Sequence, residues 1–335
     1  MATPDGNLIR GSRSARISLG RAFEWGTSLA CVAFLILWFR DKPLPDLFAT
    51  PATCGWFLAA TGIFAISICL AAERWHFLLI QQASDSTRGT AYRSIGLGEI
   101  ANALLPMRAG DAVRVGVVSE REKRPLSGSA GVLIVERGLG LTTQIVFLTI
   151  TGALALSQIP PLLRSPWAAA AAVALVAVGM AVIGWGMVLF ARVVLRFARW
   201  RVVASLAEPF AGLTANGAVV CASLSAAVFC AEGLAWWAAG NSAGVGLSPL
   251  DAIFIQTLAT LATIIPAGPG SVGTLDAAIV VALGSVGQPE SDGLAFILVL
   301  RIAILAACIG FWLCISGGDL VRRVRAQSKR QESKQ

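Results

Sequence analysis

The stretch "ANALLPMRAGDAVR", residues 101–114, decides how this chain reads. It lies between long apolar runs in a chain of 335 residues that is 56% hydrophobic and 14% charged. That composition excludes a soluble domain. Apolar runs of about 20 residues cross a bilayer as helices, so the chain reads as a polytopic membrane protein. Yet this stretch breaks its own helix. Pro106 removes a backbone donor and clashes with the preceding turn. Arg108, Asp111 and Arg114 follow directly. An outgoing helix starting near Gly110–Asp111 points free N–H groups and a positive dipole end into the protein. Such an end attracts an anion, phosphate above all. Arg108 then sits at the tip and Arg114 about a turn into the new helix. Asp111 either caps that helix or pairs with an arginine. Glu99 and Asn102 share a face of the incoming half. The plain alternative is a cytoplasmic loop flanked by charges. The crowding of Pro, Gly, Arg and Asp favours a site.

Working outward, apolar runs at 23–39, 54–72, 129–156, 167–190, 213–239 and 293–315 each read as a span. The regions 94–118 and 251–284 are broken by Pro and Gly and read as re-entrant hairpins. The fold class expected is therefore all-α, with six transmembrane helices and two re-entrant helical hairpins. The basic blocks are the first 22 residues, the loop with Arg74, Arg88 and Arg93, "EREKR" at 120–124, the run at 192–201 and the tail. This layout puts them all on one side, with both termini cytoplasmic. The first hairpin then enters from the cytoplasm and the second from outside. The parts are a basic N-terminus at 1–22, a first half at 23–160, a second half at 161–317 and a basic cytoplasmic tail at 318–335. Arg192, Arg196 and Arg199 recur at helical spacing, so 191–212 reads as an interfacial helix on anionic headgroups. The polar N-terminus, with Arg10, Arg13, Arg16 and Arg21, reads as no cleavable signal. The formal net charge of +8 is explained by cytoplasmic loops, so no nucleic-acid partner is expected.

Placing Pro266 on Pro106, an offset of 160 residues, lays "LLPMRAGD" on "IIPAGPGS" and Gly110 on Gly270. The same offset carries spans onto spans. The halves start on opposite sides, so they read as an inverted repeat, a transporter architecture with its site where the breaks meet. The second break, "IIPAGPGSVGTLDAA" at 264–278, has no base. Pro266 and Pro269 shape it, and Gly268, Gly270 and Gly273 let a ligand approach the backbone and offer an anion nest. Ser271 and Thr274 suit the cap of its outgoing helix, and Asp276 its first turn. A tight hairpin without a ligand remains the alternative.

Glu136, Arg137 and Arg301 lie within spans, where ionisable residues are functional by default. Neighbouring helix positions diverge, so Glu136 and Arg137 each need a partner elsewhere. Whether they act or only lock the bundle stays open. Glu232 is a weaker case. Glu73 and Arg74 are expected to snorkel at the end of the second span. The seven cysteines form no C-x-x-C and read as small buried hydrophobes. The lone His76 reads as an interfacial polar tip. No metal site and no cofactor are expected. No phosphate-binding loop of the G-x-x-x-x-G-K-[ST] type occurs, so energy comes from ions, a gradient or mass action.

"RW" at 74–75, "NALLPMRAGDAVR" at 102–114, "ER" at 136–137 and "IPAGPGSVGTLD" at 265–276 together resemble the flippase-like membrane family named for the lysylphosphatidylglycerol synthase transmembrane region. The resemblance runs from about 20 to 320. It implies inverted halves with re-entrant helices and movement of a lipid, often with an anionic or phosphate-bearing headgroup, between leaflets. Members serve bacterial cell-envelope lipid pathways, hopanoid-associated ones among them. Matching positions are Asn102, Pro106, Arg108, Gly110, Asp111, Arg114, Glu136, Arg137, Pro266, Pro269, Gly270 and Gly273. Gly140, Ser271 and Asp276 depart from the family pattern.

The expectation is an inner-membrane lipid translocator. Its partners are membrane lipids, with lipid-biosynthesis enzymes and an oligomer left open. Its substrate-binding residues are Asn102, Arg108, Asp111, Arg114, Glu136, Arg137, Gly268, Gly270, Ser271, Gly273, Thr274 and Arg301. No catalytic residue is expected. The competing readings are an intramembrane lipid transferase using Glu99, Asp111 or Glu136 as base, and a non-transporting partner of a lipid-synthesis complex. Only about 20 polar residues follow the last span, too few for the family's aminoacyl-transfer domain.

Overall fold

The computed structural model describes residues 50–82, 85–105, 109–155, 212–263 and 269–332, with single positions at 37, 206, 208, 209 and 265. Apart from those single positions, the segment 1–22, the expected spans 23–39 and 167–190, and most of the interfacial segment 191–212 lie outside the described residues. Eight α-helices are described: α1 Pro51–Ile80, α2 Arg88–Leu104, α3 Ala109–Glu122, α4 Leu126–Ala155, α5 Ala215–Ser242, α6 Pro249–Ala262, α7 Thr274–Ser285 and α8 Gly293–Glu332. No strand occurs among the described residues. Four stretches are long and apolar enough to cross a membrane: Pro51–Ile80, Leu126–Gly152, Asn216–Ser242 and Gly293–Gly317. The described residues are thus all-helical, and the protein is a multi-pass membrane protein. The order is long, short, short, long, and then the same again. The tail expected from residue 318 continues the helix of α8 to Glu332.

Local chemistry sets the helix ends. Thr50 caps α1 by accepting from the Thr53 backbone N–H at 3.3 Å, with Pro51 at the first helical position. Ser248 and Asp251 form a reciprocal capping box on α6, again followed by proline. Leu105 ends α2 in extended backbone, at φ −109° and ψ 147°. That is the conformation a following proline imposes.

The helices pack as two apolar clusters. One joins α1, α5, α6, α7 and α8, with Trp236 edge-on to Phe296 at 5.9 Å. The other joins the C-terminal half of α1 to α2, α3 and α4, with Phe311 of α8 closing it. On the outside, Leu298, Ile302, Leu305, Ile309 and Leu313 form an exposed stripe along α8. Their spacing of three and four residues puts them on one helical face, suited to lipid tails.

The short helices turn back on each other. A Cβ on Gly110 would lie 2.0 Å from the Gly98 carbonyl oxygen, so α2 and α3 touch backbone to backbone there. Only two glycines permit that approach. The turn 269–271 between α6 and α7 packs against α2, and a Cβ on Gly270 would sit 3.4 Å from the Ala103 carbonyl oxygen. The two helix breaks are therefore neighbours.

Candidate functional site

Charge concentrates where α1, α3 and α4 meet. Glu136 of α4 is buried and divides its carboxylate between two guanidiniums. Arg74 Nη2 donates to Oε1 at 2.7 Å, and Arg114 Nη2 donates to Oε2 at 2.5 Å. Arg74 also donates from Nη1 to Ser225 Oγ of α5 at 3.0 Å. The Arg114 guanidinium carbon stands 4.4 Å from the centre of the Trp75 ring, a cation–π contact strengthened by burial. One helix position on, Arg137 Nη2 donates to Asp111 Oδ1 of α3. Arg114 Nη1 lies 3.9 Å from the same oxygen. The result is a chain of alternating charges, Arg74–Glu136–Arg114–Asp111–Arg137, running across three helices. A buried charge is tolerated only when paired in this way.

This chain borders a cavity of about 510 Å3 to which all eight helices contribute. Arg74, Arg114, Glu136 and Arg137 form part of its wall, with Glu99, Asn102, Gln144, Glu232, Thr260 and Thr263 as further polar groups. Phe64, Ile68, Phe229, Trp236, Leu275 and Ile304 supply apolar surface. Gln144 ties α4 to α6 by donating to the Thr257 carbonyl and to Thr260 Oγ1. Gln256 donates to Glu232 across α5 and α6 at 2.9 Å. Gly140 lines the cavity too, and a Cβ there would meet nothing within 4 Å.

The residues expected from the sequence divide into three groups. Asn102, Arg114, Glu136 and Arg137 converge on the cavity, with Asp111 held beside it by Arg137. Asn102 fixes the break by accepting from the Gly110 N–H through Oδ1 at 2.9 Å. Gly270, Ser271, Gly273, Thr274 and Arg301 build the second break instead. Arg301 donates from Nε and Nη2 to Asp276 Oδ1 at 2.8 and 2.6 Å, and from Nη1 to the Gly270 carbonyl at 3.2 Å. Gly270, Ser271 and Gly273 have φ of 61°, 53° and 94°, the left-handed region that favours glycine. Pro269 belongs to this turn. Pro106, Arg108, Pro266 and Gly268 lie outside the described residues.

Two expectations are corrected. Ser271 and Thr274 do not cap α7. Asp276 reaches back to accept from the Gly273 N–H at 3.0 Å, while the Thr274 hydroxyl donates to the Ser271 carbonyl. Arg74 does not snorkel. It is buried, because α1 runs on to Ile80 and carries the side chain inward to Glu136. Glu73, on the next position, does stay near the surface and accepts from Tyr92 and Arg88. The signal for Arg74 was the "ERWHFLLI" that follows the apolar run, helical sequence that continues the span.

The eight described helices around a charged, partly apolar cavity define a multi-pass membrane protein with a polar site among its spans. Residues 25–310 match the family of the lysylphosphatidylglycerol synthase transmembrane region, and the chain belongs to that family. No curated protein and no solved structure gives a significant match to the chain.

Proposed function

We propose that the protein is a lipid translocator that moves a lipid with an anionic or phosphate-bearing headgroup between leaflets of a bacterial inner membrane. One observation carries the reading: guanidiniums and apolar side chains line the same cavity among membrane helices. A space of about 510 Å3 suits a polar headgroup, while the acyl chains stay in the bilayer. Breaks at the middle of helix pairs, meeting near Gly270 and Ala103, support re-entrant hairpins in two inverted halves. Rocking of those halves around a fixed site is how such architectures alternate access. The termini face the cytoplasm in this arrangement, following the basic blocks.

The test is reconstitution into liposomes carrying phosphatidylglycerol with a fluorescent acyl chain. An impermeant reductant quenches only the outer leaflet. Quenching past the outer-leaflet share in protein-containing vesicles is the expected result. Arg108→Ala abolishes that excess while keeping the wild-type melting curve. Wild-type vesicles that never pass the outer-leaflet share, with anionic or zwitterionic lipid, refute translocation. Conversion of the lipid to a new species by the purified protein assigns a transferase instead.

A further inference from the structure

Each half carries an aspartate in the first turn of its outgoing short helix and an arginine in the long helix that follows. Asp111 and Arg137 are 26 residues apart, Asp276 and Arg301 are 25. The two pairs are used differently. Arg301 gives three hydrogen bonds, two to Asp276 and one to the Gly270 carbonyl, and the Asp276 side chain is 5% exposed. Arg137 gives one, to Asp111, and its Nε–H has no partner. Its side chain is 40% exposed, with Asp111 at 21%, and it forms part of the cavity wall. Arg74 and Arg114 are committed to opposite oxygens of Glu136, itself 2% exposed, and a ligand reaches them only by displacing that carboxylate. Two more carboxylates, Glu99 and Glu232, also line the cavity.

Building on the translocator reading, we infer that Asp111 occupies the place of the ligand's phosphate on Arg137. An anionic lipid headgroup that enters the cavity displaces this carboxylate and takes the Arg137 guanidinium with two parallel N–H donors, the fork that suits phosphate. The exchange releases α3 from α4 at its N-terminal turn. The Arg114–Glu136 pair stays closed and serves as the pivot. Binding and movement are thereby coupled, because the ligand prefers the state in which the Asp111–Arg137 contact is open.

The experiment measures the affinity of the detergent-purified full chain for dioctanoyl phosphatidylglycerol by tryptophan fluorescence. Asp111→Asn removes the competitor and tightens binding about threefold, the size of a partly exposed ion pair. Arg137→Gln weakens it about tenfold, and Arg137→Lys restores part of the loss. Arg88→Gln, at an exposed arginine away from the cavity, leaves the affinity unchanged. The soluble headgroup glycerophosphoglycerol binds at least about tenfold more weakly, since it leaves the apolar wall unfilled. Equal binding of the two would assign the site to a soluble phosphodiester and overturn the lipid assignment. Asp111→Asn that binds as wild type or more weakly overturns the displacement, as does a wild type that binds neither compound. Lipid exchange with no change in Asp111→Asn affinity sinks the displacement and spares translocation. Tightened binding without exchange does the reverse.

Discussion

The two broken helix pairs end their helices inside the protein by opposite means. Between α2 and α3 the work falls to side chains: Asn102 ties down the Gly110 N–H, Arg137 takes Asp111, and Arg114 crosses to Glu136. Between α6 and α7 it falls to the backbone, with Gly270, Ser271 and Gly273 at positive φ and one arginine holding the turn. The first pair consequently turns charge toward the cavity. The second spends Asp276, together with Arg301 of α8, on its own turn. The lesson is that a shared outline does not divide chemistry equally. The helix pair that closes with side chains keeps polar groups on the cavity wall.

That contrast is open to breaking. The largest effect is expected at Glu136 of α4, which holds Arg114 of the first pair. Glu136→Ala leaves Arg74 and Arg114 buried without a carboxylate and costs about 3–5 kcal/mol. Thermal unfolding in detergent reads it, and a wild-type melting curve would mean that the charge chain contributes nothing to the fold. Next comes the crossing of α2 and α3. Gly110→Val drives a side chain into the Gly98 carbonyl oxygen, at 2.0 Å from its Cβ, and costs about 3 kcal/mol. Gly116→Ala, on the same helix with nothing within 4 Å, is neutral or stabilising by less than about 1 kcal/mol. Equal melting temperatures for the two variants would remove the close crossing. The smallest and sharpest comparison is between the aspartates. Asp276→Asn weakens a buried, three-bonded group and costs about 2 kcal/mol. Asp111→Asn costs less than about 1 kcal/mol. Reversal of that order would show that the first pair, not the second, is closed by its aspartate.

Much of this was legible in the chain. The breaks at 94–118 and 251–284 follow from Pro and Gly chemistry, and both appear as paired short helices. The need of Glu136 and Arg137 for separate partners follows from helical geometry, and each has one. The role of Arg74 was not legible. The "WHFLLI" after it shows that the helix continues, but that Arg74 turns inward to Glu136 is decided only by packing. The cap of α7 was misread for a related reason. Ser271, Thr274 and Asp276 are all capable of capping, and the positive φ at Gly273 selects the aspartate three residues on.

By itself the sequence determined that the chain lives in a membrane, where its helices break, and that Glu136 and Arg137 require company. Those are local matters, fixed by side-chain solubility, by the missing proline donor and by the cost of an unpaired charge among apolar residues. Which arginine meets which carboxylate was decided only by the tertiary structure. Arg74, Asp111, Arg114, Glu136 and Arg137 come from three helices, and their order in the charge chain depends on how those helices lie against each other. A sequence records that a buried charge needs a partner, but contact across helices is set by packing.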